Sequence, residues 1–182
     1  MVYLLLADGF EDIEAVTPID ILRRAGIPLA TVGVTGKRVT SKHGLVVEAD
    51  IVPDSVDRSD LEMLILPGGP GVDSLAASQF VQALTRETAQ EGRLIGAICA
   101  APRIPAELGL LAGRRAVCFP SCEETLILHG AHLQPERQVV VDLPFITAKA
   151  AGSALDFALA LVSALRGQSL ADEVRDEVCY RL

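Results

Sequence analysis

Short apolar runs alternate with stretches of helical periodicity along the whole chain. Val2–Ala7, Pro28–Val34, Glu62–Leu66, Leu94–Ile98, Arg115–Phe119, Gln138–Val141 and Phe145–Ala148 read as strands. Within them, Met63-Leu-Ile-Leu66 and Leu94-Ile-Gly-Ala-Ile98 show no polar alternation, which suits parallel strands covered on both faces. Arg38–Thr40 and Leu45–Glu48 alternate enough for a small hairpin or edge pair. Glu11–Ala25 spaces Ile13, Val16, Ile19 and Leu22 as a helix does, and stops at Gly26. Pro18 falls inside that segment. It either kinks one helix or opens a second one, with Thr17 as cap and Pro18 at the first position. Ser78–Gln90, Ala101–Leu108, Ala154–Leu165 and Ser169–Val178 also read as helices, the first three followed by Gly92, Gly109 and Gly167. Ser121 and Glu124 have capping-box spacing ahead of Leu126–Leu128.

Repeated strand–helix units of this kind predict a doubly wound α/β sandwich with a mostly parallel sheet. No internal repeat, low-complexity tract or linker divides the chain, so residues 1–182 are expected to form one domain. In such folds the site lies at the carboxyl ends of the strands. Three loops then share one edge: Asp8–Glu14, Gly68–Val72 and Cys99–Pro102.

Composition narrows the function classes. Half of the 182 residues are hydrophobic, enough for an ample core, and the net charge of -8 without a basic block argues against nucleic-acid or anionic-membrane binding. Trp is absent, so a base-stacking surface is not expected either. The apolar start lacks a basic leader, and Ala158–Leu165 is too short to span a bilayer, which predicts a soluble, cytoplasmic protein. Cys99, Cys118, Cys122 and Cys179 are too few for a disulfide framework and are expected as free thiols.

Cys99 is the most informative of them. An apolar strand ends at this residue, small residues follow, and a helix comes next. That is the layout of a nucleophile elbow with sulfur where other enzymes use a serine hydroxyl. A helix N-terminus offers unpaired N–H groups and partial positive charge, both of which favour a thiolate. Glu11, Asp12 and Glu14 follow the first strand at the same edge. One of them turned inward toward Cys99 would repel the thiolate unless it kept its proton, so its pKa would be raised and it would serve as a general acid/base. Gly68-Gly69 closes the Met63–Leu66 strand and can aim a backbone N–H at a developing oxyanion, with a second donor at Ala100.

These residues carry a resemblance. Ala7-Asp-Gly-Phe-Glu-Asp-Ile-Glu-Ala-Val16, Arg23-Arg-Ala-Gly-Ile27, Leu64-Ile-Leu-Pro-Gly-Gly69, Ala97-Ile-Cys-Ala-Ala-Pro102 and Asp156-Phe-Ala-Leu-Ala-Leu161 together resemble the ThiJ/PfpI superfamily in its DJ-one branch, nearly end to end and in order. The resemblance implies a flavodoxin-like fold, a homodimer, an elbow nucleophile at Cys99 and a glutamate partner at Glu14. It also implies oxyanion donors at Gly69 and Ala100. The implied activity is a cofactor-independent glyoxalase or deglycase acting on methylglyoxal, glyoxal or their adducts, in carbonyl and oxidative stress. The alternative within the same branch is a redox sensor or stress chaperone built on the same cysteine. Peptidase branches place histidine directly after the nucleophile; Ala100 stands there instead, which argues against a peptidase.

The branch often adds a histidine from the segment around Leu128–Gln134. An ungapped reading puts Ala131 at that place, and neighbouring His132 is the candidate third partner. His43 lies in a loop resembling one that reaches across the family's dimer interface. Cys118 and Cys122 with His129 and His132 fit no zinc-finger spacing, so no metal is expected. No phosphate-cradling motif is present, Pro70 removes an N–H from the Gly68–Gly71 turn, and no cofactor is expected.

Overall fold

The computed structural model describes residues 1–181; Leu182, the last position of the expected domain, lies outside them. Its centre is a six-stranded sheet in the order β2-β1-β5-β6-β10-β9, formed by β1 (Val2–Leu6), β2 (Leu29–Gly33), β5 (Met63–Leu66), β6 (Leu94–Ile98), β9 (Val139–Asp142) and β10 (Phe145–Ala148). All neighbours pair in parallel except β9, which runs antiparallel along β10 at one edge. β3 (Arg38–Thr40) and β4 (Val46–Glu48) form the expected hairpin.

The central strands need no polar alternation because both faces are covered. Tyr3, Leu5 and Ala7 enter one hydrophobic cluster, while Val2, Leu4 and Leu6 enter the other. On the second face lie α1 (Asp12–Arg24), α6 (Ala154–Arg166) and α7 (Gln168–Glu177); on the first lie α2 (Val72–Ala77), α3 (Gln79–Gln90), α4 (Arg103–Glu107) and α5 (Glu123–Leu128). This is the three-layer, flavodoxin-like α/β sandwich implied above. Gly96 lets α6 settle close on β6, since a Cβ there would stand 2.8 Å from Leu161 Cδ2.

Several local expectations change. α1 runs unbroken through Pro18, and its N-cap is Glu11, whose carboxylate accepts from the Glu14 N–H at 3.0 Å; Thr17 caps nothing. The Arg115–Phe119 run pairs only at β7 (Arg115–Ala116), with β8 (His132–Leu133) as an unexpected parallel partner. The rest leaves the ladder because the Val117 N–H goes to Thr147 Oγ1 (3.0 Å) and the Phe119 N–H to the Cys99 carbonyl (2.8 Å). Ser121 is not a cap: it lies in a 3-10 turn, Pro120–Cys122, and α5 begins after Cys122 without a side-chain cap bond. The helix after the elbow starts at Arg103, two residues later than expected, because Ala101 and Pro102 form the turn.

Candidate active site

β2 lies on one side of β1 and β5 on the other, so the strand order reverses at β1–β5, and a crevice opens where their following loops part. β6 is the next strand along. The ends of β1, β5 and β6 therefore bring Glu14, Gly69 and Cys99 to one place.

Cys99 sits at the turn out of β6 with φ of +65°, a left-handed conformation that costs a non-glycine residue on the order of 1–3 kcal/mol and marks the elbow. Its N–H donates to the Ala148 carbonyl (2.9 Å) and its carbonyl accepts from Phe119, so both backbone groups are anchored while the half-buried thiol faces the crevice. The backbone N–H groups of Ala100 and Gly69 both reach the Cys99 sulfur.

Glu14, in the first turn of α1, is 1% exposed and is the one acid of the 11–14 cluster that turns fully inward. Its carboxylate takes the Gly68 N–H at 3.0 Å and hydrogen-bonds the Cys99 thiol. Gly68 has room for nothing more: a Cβ would stand 2.6 Å from Cys99 Cβ and would also collide with Glu14 Oε2. Gly69 holds φ of +88°, and a Cβ there would stand 2.5 Å from the Gly9 carbonyl oxygen and 2.6 Å from the Glu11 nitrogen, so the turn admits only glycine.

Burial pushes the Glu14 carboxyl up from 4.5 to about 7, with the nearby Glu11 charge adding to it against the hydrogen bonds from Cys99 and Gly68. Burial, followed by the Glu14 charge and hydrogen bond, pushes the Cys99 thiol up to about 12, against the lowering by the two backbone N–H groups. Burial thus outweighs the helix-end N–H groups expected to favour a thiolate. While Glu14 is a carboxylate, the sulfur keeps its proton; with Glu14 protonated, the charge opposing the thiolate is gone and the carboxyl can donate to sulfur. The two groups therefore form a coupled pair.

The crevice is a cavity of about 450 Å³. Besides the expected residues it is lined by Lys42, Arg103, Phe119 and Cys122, which the sequence reading did not single out as site residues. Arg103 pairs with Asp73, and its Nε is buried without a hydrogen-bond partner among the described residues. Its position just after the small residues that follow Cys99, where the next helix opens, was the available signal. His132 is not brought to the cavity. It lies exposed on β8, its backbone bound to Arg114, and Phe119 supplies the aromatic wall instead. Cys118, Cys122, His129 and His132 do not gather as a ligand set among the described residues; Glu11, Asp12 and His43 do, with ligand atoms within 4.8 Å. His43 Nδ1 meets Asp12 Oδ2 at 2.8 Å, which accounts for the approach of those two side chains as a hydrogen bond. No helix among the described residues is long and apolar enough to cross a membrane.

Known proteins resemble this chain in sequence and fold. The crystal structure of Drosophila melanogaster DJ-1beta superposes with a TM-score of 0.94 at 31% identity, covering 100% of this chain and 98% of that one. The glutathione-independent glyoxalase DJR-1.2 of Caenorhabditis elegans is 29% identical over 176 residues, 97% of this chain and 94% of its own. Deglycase TK1284 of Thermococcus kodakarensis is 28% identical over 165 residues, 91% of this chain and 99% of its own. Protein DJ-1 homolog B of Arabidopsis thaliana is 32% identical over 183 residues, but this chain spans only 41% of its length. The DJ-1/PfpI family model matches residues 1–164, and the chain belongs to that family.

Proposed function

We propose that this chain is a cofactor-independent cysteine enzyme of the glyoxalase or deglycase type, acting on methylglyoxal, glyoxal or their adducts. The observation that carries this reading is the buried Glu14 carboxyl hydrogen-bonded to the Cys99 thiol, with the Gly69 and Ala100 N–H groups on the same sulfur. Relatives named as a glyoxalase and a deglycase support the reaction class.

The chemistry follows from the pair. A 1,2-dicarbonyl enters the cavity and the Cys99 sulfur adds to its aldehyde carbon, forming a hemithioacetal as the thiol proton passes to Glu14. The aldehyde oxygen is held by the Gly69 and Ala100 N–H groups while it carries charge. Glu14 passes the thiol proton on to that oxygen, which completes the hemithioacetal; the carboxylate so restored takes the proton from C1 and returns it to C2 through an enediol, leaving a lactoyl thioester on Cys99. Water cleaves the thioester and frees the thiol, so methylglyoxal and water become lactate. In the deglycase variant, water displaces an amine or thiol from the adduct instead. A carboxyl near 7 exchanges its proton readily at neutral pH, which suits this shuttle.

The test is lactate formation from methylglyoxal by the purified chain beside Cys99→Ala. Turnover that survives the substitution, or none in the unsubstituted protein, overturns the proposal. The second reading, a redox sensor that stores a Cys99 sulfinate, is favoured by the same two N–H donors. It predicts that Cys99 oxidises faster than the other three thiols and that Glu14→Leu slows this. A homodimer is also proposed. Exposed Ile13 and Val16 on α1 lie beside exposed Leu45 and Val46 of the β3–β4 hairpin, joined through the 2.6 Å Ser41–Asp12 hydrogen bond. Sedimentation of the chain and of Val46→Asp would test it.

A further inference from the structure

We propose that Cys122 is a resolving thiol for Cys99, closing an intramolecular disulfide after a hydroperoxide has oxidised the elbow sulfur. The proposal rests on Cys99 being the reactive thiol of the site, and not on carbonyl turnover.

Cys99 and Cys122 open into the same cavity, both partly exposed. Their backbones are linked by two short steps: the Phe119 N–H donates to the Cys99 carbonyl (2.8 Å), and the Cys122 N–H donates to the Phe119 carbonyl (2.8 Å). The segment that carries Cys122 is a single 3-10 turn leading into a six-residue helix, α5, whose Ile127 and Leu128 are exposed and whose one buried residue is Leu126. Such a weakly packed element moves at low cost, which is what closing a disulfide to its required geometry asks of it. Cys118, by contrast, is fully buried in the hydrophobic cluster and does not line the cavity, so it is not free to swing toward Cys99.

In the first step the Cys99 thiolate attacks the peroxide. The O–O bond breaks, an S–O bond forms, sulfur loses two electrons, and the departing alkoxide takes a proton to leave as an alcohol, or as water from hydrogen peroxide. In the second, the Cys122 sulfur attacks the Cys99 sulfenic acid. The S–S bond forms, the S–O bond breaks, and hydroxide leaves with the Cys122 proton as water. An external dithiol reopens the bond and is itself oxidised. Without Cys122, the sulfenic acid would persist and a second peroxide would carry it to the sulfinate.

The full chain treated with stoichiometric hydrogen peroxide, blocked with an alkylating reagent and measured by intact mass is the test. The expected result is the loss of two hydrogens and of two alkylation sites, with a Cys99–Cys122 link located by fragmentation between Cys118 and Cys122. In Cys122→Ser, a dimedone-trappable sulfenate on Cys99 is expected instead, passing to the sulfinate. A link through Cys118, or sulfinate accumulating equally fast with and without Cys122, overturns the proposal. If Cys99 oxidises without a disulfide, only this inference fails. If Cys99 resists both peroxide and alkylation, the reactive-thiol reading beneath it fails as well.

Discussion

The Gly68 N–H donates to Glu14 Oε2 at 3.0 Å from a residue whose missing side chain is what lets Glu14 and Cys99 meet. A methyl group there would press on both partners of the coupled pair at once. Gly68→Ala is therefore expected to displace the carboxyl from the sulfur and to lower Cys99-dependent turnover about 100-fold or more, the scale of a lost general acid/base. Steady-state kinetics with methylglyoxal checks this, with circular dichroism to establish that the variant is folded.

Glu14→Gln keeps the size of the side chain and removes its ability to carry a proton. Turnover should fall by roughly 10²–10⁴. Kinetics with hydrogen peroxide should fall less, since attack by sulfur on an O–O bond needs no transfer between two carbons. A Glu14→Gln enzyme that retained full carbonyl activity would remove Glu14 from the proposed mechanism.

The same substitution separates the stability cost of burying this acid. Its folded-state pKa, about 7, lies above the ordinary 4.5, so the folded chain holds the proton more tightly than the unfolded one. The contribution is complete below 4.5 and is lost as pH rises through about 7. Thermal unfolding of the unsubstituted protein should therefore shift downward between pH 5 and 8 relative to Glu14→Gln, by free energy on the order of 3 kcal/mol. Parallel curves for the two proteins across that range would contradict the assignment.

Gly96→Val tests the packing behind the site. Its side chain would meet Leu161 and Phe157 of α6, both fully buried. Overpacking of this kind costs about 1–3 kcal/mol, read as a lowered urea midpoint.

The sheet and the elbow were legible in the sequence because each rests on a local signal. The unbroken apolar runs of β5 and β6 announce strands with two covered faces, and Cys99 lies where a strand must turn into a helix. Local signals failed where a distant group took over a backbone bond. The Arg115–Phe119 run looks like a strand, but Thr147 and Cys99 take two of its amides, and neither competitor is near in sequence. The same diversion hides the cavity wall: Phe119 comes to the site through its bond to the Cys99 carbonyl and Cys122 through its bond to Phe119, whereas His132, chosen by its place in an ungapped comparison, follows β8 away from it. Among Glu11, Asp12 and Glu14, the inward residue could be chosen only by resemblance, because a shift of one helical position decides which acid faces the core.

Proline has no N–H to give to the carbonyl four residues before it, and in α1 the carbonyl in question is that of Glu14. The proton-bearing acid thus sits on the one rung of its helix that Pro18 leaves without its usual main-chain partner. Its side chain is clamped by Gly68 and Cys99, while the peptide group behind it is released from the ladder that fixes its neighbours.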